Sequence, residues 1–409
     1  HASTTDLIHW EHHPLALAIT EPWEGSICTG SAFFHAGTYY AFYATRRPDW
    51  TQHLGVATSS DGATFVKQSP LASPGPRYSR VDYRDPFVFR DPETELFHML
   101  VTSALAEPPL HGYGGCLAHL TSADLGRWEV QEPFLLSSYP GAPECPDLFE
   151  WNGWWYLVFS HGLVAHYRMA RGPLGPWQRP DVDTFDGAMA AVMKTAPFGP
   201  DRRLGVAWVG TREGDLDRGR RQWGGALVIR ELIQHPNGTL GSRFVPELVP
   251  STEPRLALSA QALTDHVLAN GDAVALTASL GIEAAMLSGV PRDAHITLRI
   301  EPGGAHTFGL KLRGSGAFAS GCDLRFSPAE ARVSLGDVSL PLVRGLDRPF
   351  LLDIVTRGDL IDVCIDTRNP GGQRCLINRL PESAGDRLFL YAQDGPATFS
   401  QLAVRMISL

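Results

Sequence analysis

Four aromatic-rich segments recur along this chain at a near-constant step, and that period limits what it can fold into. Gly37-Thr38-Tyr39-Tyr40-Ala41-Phe42-Tyr43, Glu95-Leu96-Phe97-His98-Met99-Leu100-Val101, Gly153-Trp154-Trp155-Tyr156-Leu157-Val158-Phe159 and Arg203-Leu204-Gly205-Val206-Ala207-Trp208-Val209 start at residues 37, 95, 153 and 203, at steps of 58, 58 and 50. A second mark follows each of the first three strands: Asp61-Gly62-Ala63-Thr64-Phe65, then Asp124-Leu125-Gly126-Arg127-Trp128, then Gly175-Pro176-Trp177. An acid, a tight turn and an aromatic suit an outer hairpin. A fixed period with several short strands per unit predicts an all-β fold and a β-propeller. One further copy of the second mark, Asp6-Leu7-Ile8-His9-Trp10, stands at the start of the chain. The expectation is four complete blades and the outer remnant of a fifth, with the inner strands of that first blade missing.

Two acids sit in short proline-flanked turns inside the repeat. Asp85 lies in Tyr83-Arg84-Asp85-Pro86 and Glu144 in Pro143-Glu144-Cys145-Pro146, and each turn opens into an apolar strand. Equivalent positions in neighbouring sheets would aim both carboxyl groups at one bond, the layout that glycoside hydrolysis needs. Arg84 beside Asp85 favours its charged form, and a carboxylate grips vicinal hydroxyls through two strong hydrogen bonds. Glu144, between two prolines and beside a cysteine, is expected in an apolar setting that lets a general acid keep its proton. The plainer readings are a turn acid paired with its neighbour and a solvated loop glutamate. Asp147 reads as a turn cap. Either Trp154 or Trp155 should be core, while Trp23, Trp50 and Trp223 fall in loop-like or strand-edge contexts where an indole can stack on a sugar.

Other features narrow the field. The formal net charge of −9 argues against a nucleic-acid partner, and no apolar run approaches a membrane span. His9, His12 and His13 lack a third ligand at metal spacing. Gly112-Tyr113-Gly114-Gly115 precedes no helix, and no G-x-S-x-G elbow exists. The stretch from Arg212 to Arg221 reads as a solvated loop of mixed charge. Six cysteines at 28, 116, 145, 322, 364 and 375 show no metal spacing; as buried thiols, with no visible signal peptide, they favour a reducing, cytoplasmic compartment. Prolines at 246, 250 and 254 mark a stiff linker, and regular alternating strands beyond it predict a β-sandwich. The domain boundaries are therefore 1–245, a linker at 246–256, and 257–409.

The ordered set Asp6…His9-Trp10-Glu11, Thr29-Gly30-Ser31-Ala32, Arg84-Asp85-Pro86 and Glu144-Cys145, with Asp359-Leu360-Ile361-Asp362-Val363 and Asn378-Arg379-Leu380-Pro381 behind it, resembles glycoside hydrolase family 32, the invertases, levanases and inulinases. The resemblance implies a five-bladed propeller followed by a β-sandwich, and a retaining, cofactor-free and metal-free hydrolysis of β-fructofuranosides such as sucrose, fructo-oligosaccharides, levan or inulin. Glu144 would be the acid/base and Asp85 the transition-state stabiliser, with Arg84, Trp23, Ser31 and Trp223 at the substrate. The family's nucleophile is an Asp in an Asp-Pro motif on the first strand of the first blade, and this chain as written does not contain that strand. Thr29 also replaces a frequent Ser. The expectation is an N-terminally truncated chain whose nucleophile lies upstream of residue 1. Fructosyl transfer uses the same residues. An arabinanase or xylosidase of family 43 and a non-catalytic carbohydrate-binding propeller are the alternatives, and an oligomer remains open.

Overall fold

A computed structural model describes residues 1–68, 70–137, 139–249, 253–277 and 279–407. Pro250, in the expected linker, lies outside the described residues. The chain divides into two compact units, one of residues 1–162, 166–180 and 192–194, the other of 163–165, 181–191 and 195–409. The fold is all-β, and four of its antiparallel sheets are each built like a propeller blade, from strands paired in sequence order.

The first unit opens with a small ladder, Ala2–Ser3 against Glu11–His12. The next sheet runs Ser26–His35, Thr38–Arg46, Gln52–Ser59 and Val66–Lys67; the second runs Tyr78–Arg90, Phe97–Leu105, Gly115–Ser122 and Glu129–Val130, with Leu135–Leu136 added on Gly115–Ser122. The third has three strands, Glu144–Trp151, Trp154–His161 and Val164–Ala170, and an isolated bridge Met169↔Gln178 where a fourth would lie. The aromatic runs are the second strands of these sheets, and their near-continuous apolar character has a simple cause. Side chains alternate between the two faces of a strand, and both faces here are covered. Met99 and Val101 pack with Phe42, Leu54, Val56 and Tyr83 on one side. Leu100, from the same strand, packs with Leu148, Leu157 and Phe159 on the other. Trp155 joins this second cluster, while Trp154 lies under the Arg171 guanidinium, 3.4 Å from its ring centre.

The second mark is a self-sufficient turn built three times over. The Asp6 carboxylate accepts hydrogen bonds from the N–H groups of Ile8 and His9, Asp61 from Ala63 and Thr64, and Asp124 from Gly126 and Arg127, all at 2.8–2.9 Å. A hydroxyl two residues before each acid caps the following residue, Thr4 at Leu7, Ser59 at Gly62 and Ser122 at Leu125. That third residue always has positive φ, 65°, 73° and 64° in turn. The backbone bonds pull Asp61 down to about 2.

The second unit contains the fourth sheet, Ala191–Phe198, Arg202–Arg212, Arg221–Gln234 and Leu240–Arg243, whose residues 192–194 group with the first unit. It also contains two seven-stranded antiparallel sheets. Arg230, from the fourth sheet, bonds Asp186 at 2.6 Å and both oxygens of Asp362 at 2.7 Å. The expectation of a solvated Arg212–Arg221 loop fails at its first residue. Arg212 is 3% exposed, bonded to both oxygens of Asp337, to Asn378 and to the Arg379 carbonyl. The rest of the loop is largely exposed.

Candidate active site

Asp85 and Glu144 each sit at a β-bulge in the first strand of a sheet. Arg84 faces Thr102 and Phe87 faces Leu100, so Asp85 and Pro86 share one partner. Glu144 faces Ser160 and Asp147 faces Val158, so Cys145 and Pro146 do the same. Prolines fit here because a bulge frees the following residue from donating to the ladder. Asp85 and Cys145 have φ of 54° and 52°, a left-handed conformation that the surrounding sheet must impose. The two acids are thus not at equivalent positions, as the sequence suggested, but one residue out of step. Glu144 occupies the slot of Arg84, and Cys145 the slot of Asp85. The bulge re-aims successive side chains, and both carboxylates lie within reach of one guanidinium, that of Arg84.

Arg84 joins them. Its Nη2 lies 3.0 Å from Glu144 Oε1, its Nε 3.7 Å from Asp85 Oδ2, and its Nη1 2.7 Å from Asp82 Oδ1. Burial works against the charge of Arg84, but Asp85 and the bonds to Asp82 and Glu144 outweigh it and hold the guanidinium firmly protonated. Asp85 is 3% exposed, and its Oδ2 accepts the Cys145 N–H at 3.1 Å, a bond shared with Thr102 Oγ1. Each bulge therefore holds the other. Glu144 is not in the apolar setting expected of it: its side chain is 29% exposed and ion-paired. Burial against Asp85 pushes the Cys145 thiol up and leaves it inert. Asp147 is buried inside its strand rather than in a turn.

Lys194 was not legible in advance. Its Nζ donates to the Pro146 carbonyl at 2.8 Å and lies 5.0 Å from the centre of the Phe87 ring, touching both bulged strands at once. The Tyr83 N–H, one residue before Arg84, donates to Gln52 Oε1 at 2.7 Å and fixes the strand to the preceding sheet. A cleft of about 640 Å³ opens at the start of the Asp85 strand, lined by Pro74, Ser79, Arg80, Val81 and Ala104–Ala106.

The remaining sequence candidates are elsewhere. Trp23 stacks on Tyr43, with ring centres 6.4 Å apart. Tyr43 donates to Glu24, a buried carboxylate that also takes Lys67 and the N–H groups of Thr20 and Glu21. Ser31 lies within the Ser26–His35 strand, its Oγ buried without a hydrogen bond. The structure brings neither Trp23 nor Ser31 into hydrogen-bonding contact with the acid pair. Trp223 belongs to the second unit, 80% exposed and stacked on Trp208 at 5.0 Å. Trp50 is 62% exposed beneath Arg46. His9 pairs with Asp6, and His13 bonds Ser3.

Residues 1–239 match the N-terminal domain of glycosyl hydrolases family 32. The chain is 25% identical over 309 residues to a sucrose-6-phosphate hydrolase of Escherichia coli, covering 68% of this chain and 62% of that protein. It is 30% identical over 177 residues to a levanase of Bacillus sp. (strain L7), covering 37% of this chain and 18% of that one. The chain thus spans less than two thirds of these curated relatives. Among solved structures, fructan 1-exohydrolase IIa from Cichorium intybus superposes with a TM-score of 0.72 at 15% identity, over 100% of this chain and 88% of that one. Sucrose-6-phosphate hydrolase from Lactobacillus gasseri gives 0.68 at 16%, over 100% and 84%.

Proposed function

The chain belongs to glycosyl hydrolase family 32, and on that premise we propose that it serves the retaining hydrolysis of β-fructofuranosides such as sucrose, fructo-oligosaccharides, levan or inulin. Glu144 protonates the departing oxygen and then takes a proton from water; it is the more exposed of the two acids and can reach an entering substrate. Asp85, held by Arg84 and by the Cys145 N–H, keeps a fixed negative charge beside the ring as positive character develops, and accepts fructose hydroxyls. Arg84 orients both. The attacking carboxylate is not assigned within residues 1–409. Trp23, Ser31 and Trp223 remain proposed substrate contacts. The observation that carries this reading is the pair of offset bulges, locked to each other through Arg84 and Cys145. Charge stabilisation of this kind works because the groups are placed before the substrate arrives.

The same reading extends to the architecture. It takes the four sheets and the N-terminal ladder as parts of a five-bladed propeller over residues 1–245. Residues 246–256 are the linker, and the two seven-stranded sheets within 257–409 form a β-sandwich. The alternation of buried and half-buried residues along Phe350–Arg357 supports a sheet with one apolar face turned inward.

Glu144→Gln tests the acid role in the protein as encoded, including whatever precedes His1. The amide keeps the shape and loses the proton. Hydrolysis of sucrose should fall by about 10²–10⁴-fold, with much less loss on an aryl fructoside whose leaving group needs no proton. Equal losses on both substrates would remove Glu144 from the role.

A further inference from the structure

Cys364 and Cys375 stand directly opposite each other on the adjacent antiparallel strands Leu360–Asp366 and Gln373–Arg379. The type of this pair can be worked out from the bonds around it. Leu380 N–H donates to the Asp359 carbonyl and Thr367 N–H to the Gly372 carbonyl, so those two pairs are hydrogen-bonded. Counting inward from either end, alternate pairs are hydrogen-bonded, and both counts make 364–375 a non-hydrogen-bonded pair. The Cys375 N–H agrees: it points away from its partner and donates to Ser242 Oγ at 3.2 Å. Opposed residues of this type have Cα atoms about 4.5 Å apart, inside the range that a disulfide bridges, about 4.4–6.8 Å. Both thiols are free.

Access differs between them. Cys364 lines a cavity of about 490 Å³ together with Thr297, Asp353, Asp366, Gln373 and Gln401. Cys375, opposite it, does not line this cavity and has no exposed surface. Burial and the Cys364 thiol push the Cys375 thiol up, so it does not ionise first. A reagent entering the cavity meets Cys364.

We infer that Cys364 and Cys375 form a dithiol site that a small-molecule disulfide, entering through this cavity, closes to an intramolecular disulfide. Cys364, as thiolate, attacks one sulfur of the reagent, forms a mixed disulfide and expels one thiolate. Cys375 gives up its proton and attacks the Cys364 sulfur, closing the protein bond and expelling the second thiolate. Two protein thiols are oxidised, and one reagent disulfide is reduced to two thiols. This site is independent of the fructosidase reading.

The test uses cystamine on the folded protein, followed by denaturation, thiol counting and peptide mass mapping. The wild type should go from six free thiols to four, with peptides containing Cys364 and Cys375 joined and no retained cysteamine. Cys375→Ala should stop at the mixed disulfide and carry one cysteamine on Cys364. Cys364→Ala should keep its five thiols. The closed form should melt higher than the reduced wild type, because the bond restricts the unfolded chain. Six thiols remaining in the native wild type, a stable cysteamine adduct on it, or a bond through any other cysteine would overturn the inference.

Discussion

Arg230 offers a quantitative test of what holds the second unit together. Its guanidinium spends three charge-assisted bonds on two carboxylates, at 2.6, 2.7 and 2.7 Å, and the side chains of Arg230 and Asp186 are each 1% exposed. Arg230→Met keeps much of the volume and the contact with Phe244, but leaves Asp186 and Asp362 facing each other without a cation. Removing one partner of a buried ion pair costs about 3–5 kcal/mol. For a cooperative unit of 150–250 residues, each kcal/mol moves the midpoint by about 2–4 °C, so a loss near 4 kcal/mol lowers it by about 8–16 °C. The pH dependence has a definite sign. Burial pushes Asp362 up even with Arg230 pulling the other way, and without Arg230 it rises further. A carboxyl group whose folded pKa exceeds its unfolded value loses its stabilising contribution as pH rises through the folded value. The deficit of Arg230→Met should therefore be smallest near pH 4 and grow towards pH 7. Adding Asp186→Asn and Asp362→Asn to the variant should recover most of it. Thermal melts followed by circular dichroism at pH 4, 5.5 and 7 decide the matter. A single variant within about 1 kcal/mol of wild type, or a triple variant no better than the single, would refute the argument.

Lys194→Met should lower kcat/KM on fructosides by up to about 100-fold, since a misplacement of about 1 Å can cost that much; Lys194→Arg should restore part of it, and the split between kcat and KM is the readout. Asp85→Asn should leave the melting midpoint near wild type yet abolish fructose binding by calorimetry, because the amide still fits the bulge and accepts the Cys145 N–H but carries no charge. Burial pushes His119 down to about 4, where it stacks on His98 at 5.1 Å. A depressed histidine gives stability that is present above its unfolded value near 6.5 and lost as pH falls through 4, so urea midpoints should decline over that window and decline less in His119→Phe.

The blades were legible because burial on both faces leaves a coarse trace, aromatic strands at a steady interval. The outer turns were legible for a different reason: each Asp bonds its own neighbours, so sequence and structure coincide locally. The prolines beside Asp85 and Glu144 read as turns, whereas both acids lie within strands at bulges, one residue out of step, because that depends on register against Thr102 and Ser160. Lys194 left no trace in its own segment, because its partners Pro146 and Phe87 are far away in sequence. Cys364 and Cys375 looked like two unrelated thiols until the strand pairing set them face to face. Arg212 opened a run of mixed charge that reads as solvated, and only Asp337 and Asn378, more than a hundred residues on, account for its burial.

Val192 shares the positive φ of Asp85 and Cys145 without their chemistry. It is the second residue of the strand Ala191–Phe198, just as Cys145 is the second of Glu144–Trp151, and its φ is 56°. A β-branched residue does not choose that conformation. The sheet dictates it, and the side chain submits. The kink is therefore set by the sheet and open to exchange: asparagine, aspartate or glycine at 192 would relax the chain rather than burden it. A third polar group could be installed there with the backbone already bent to receive it.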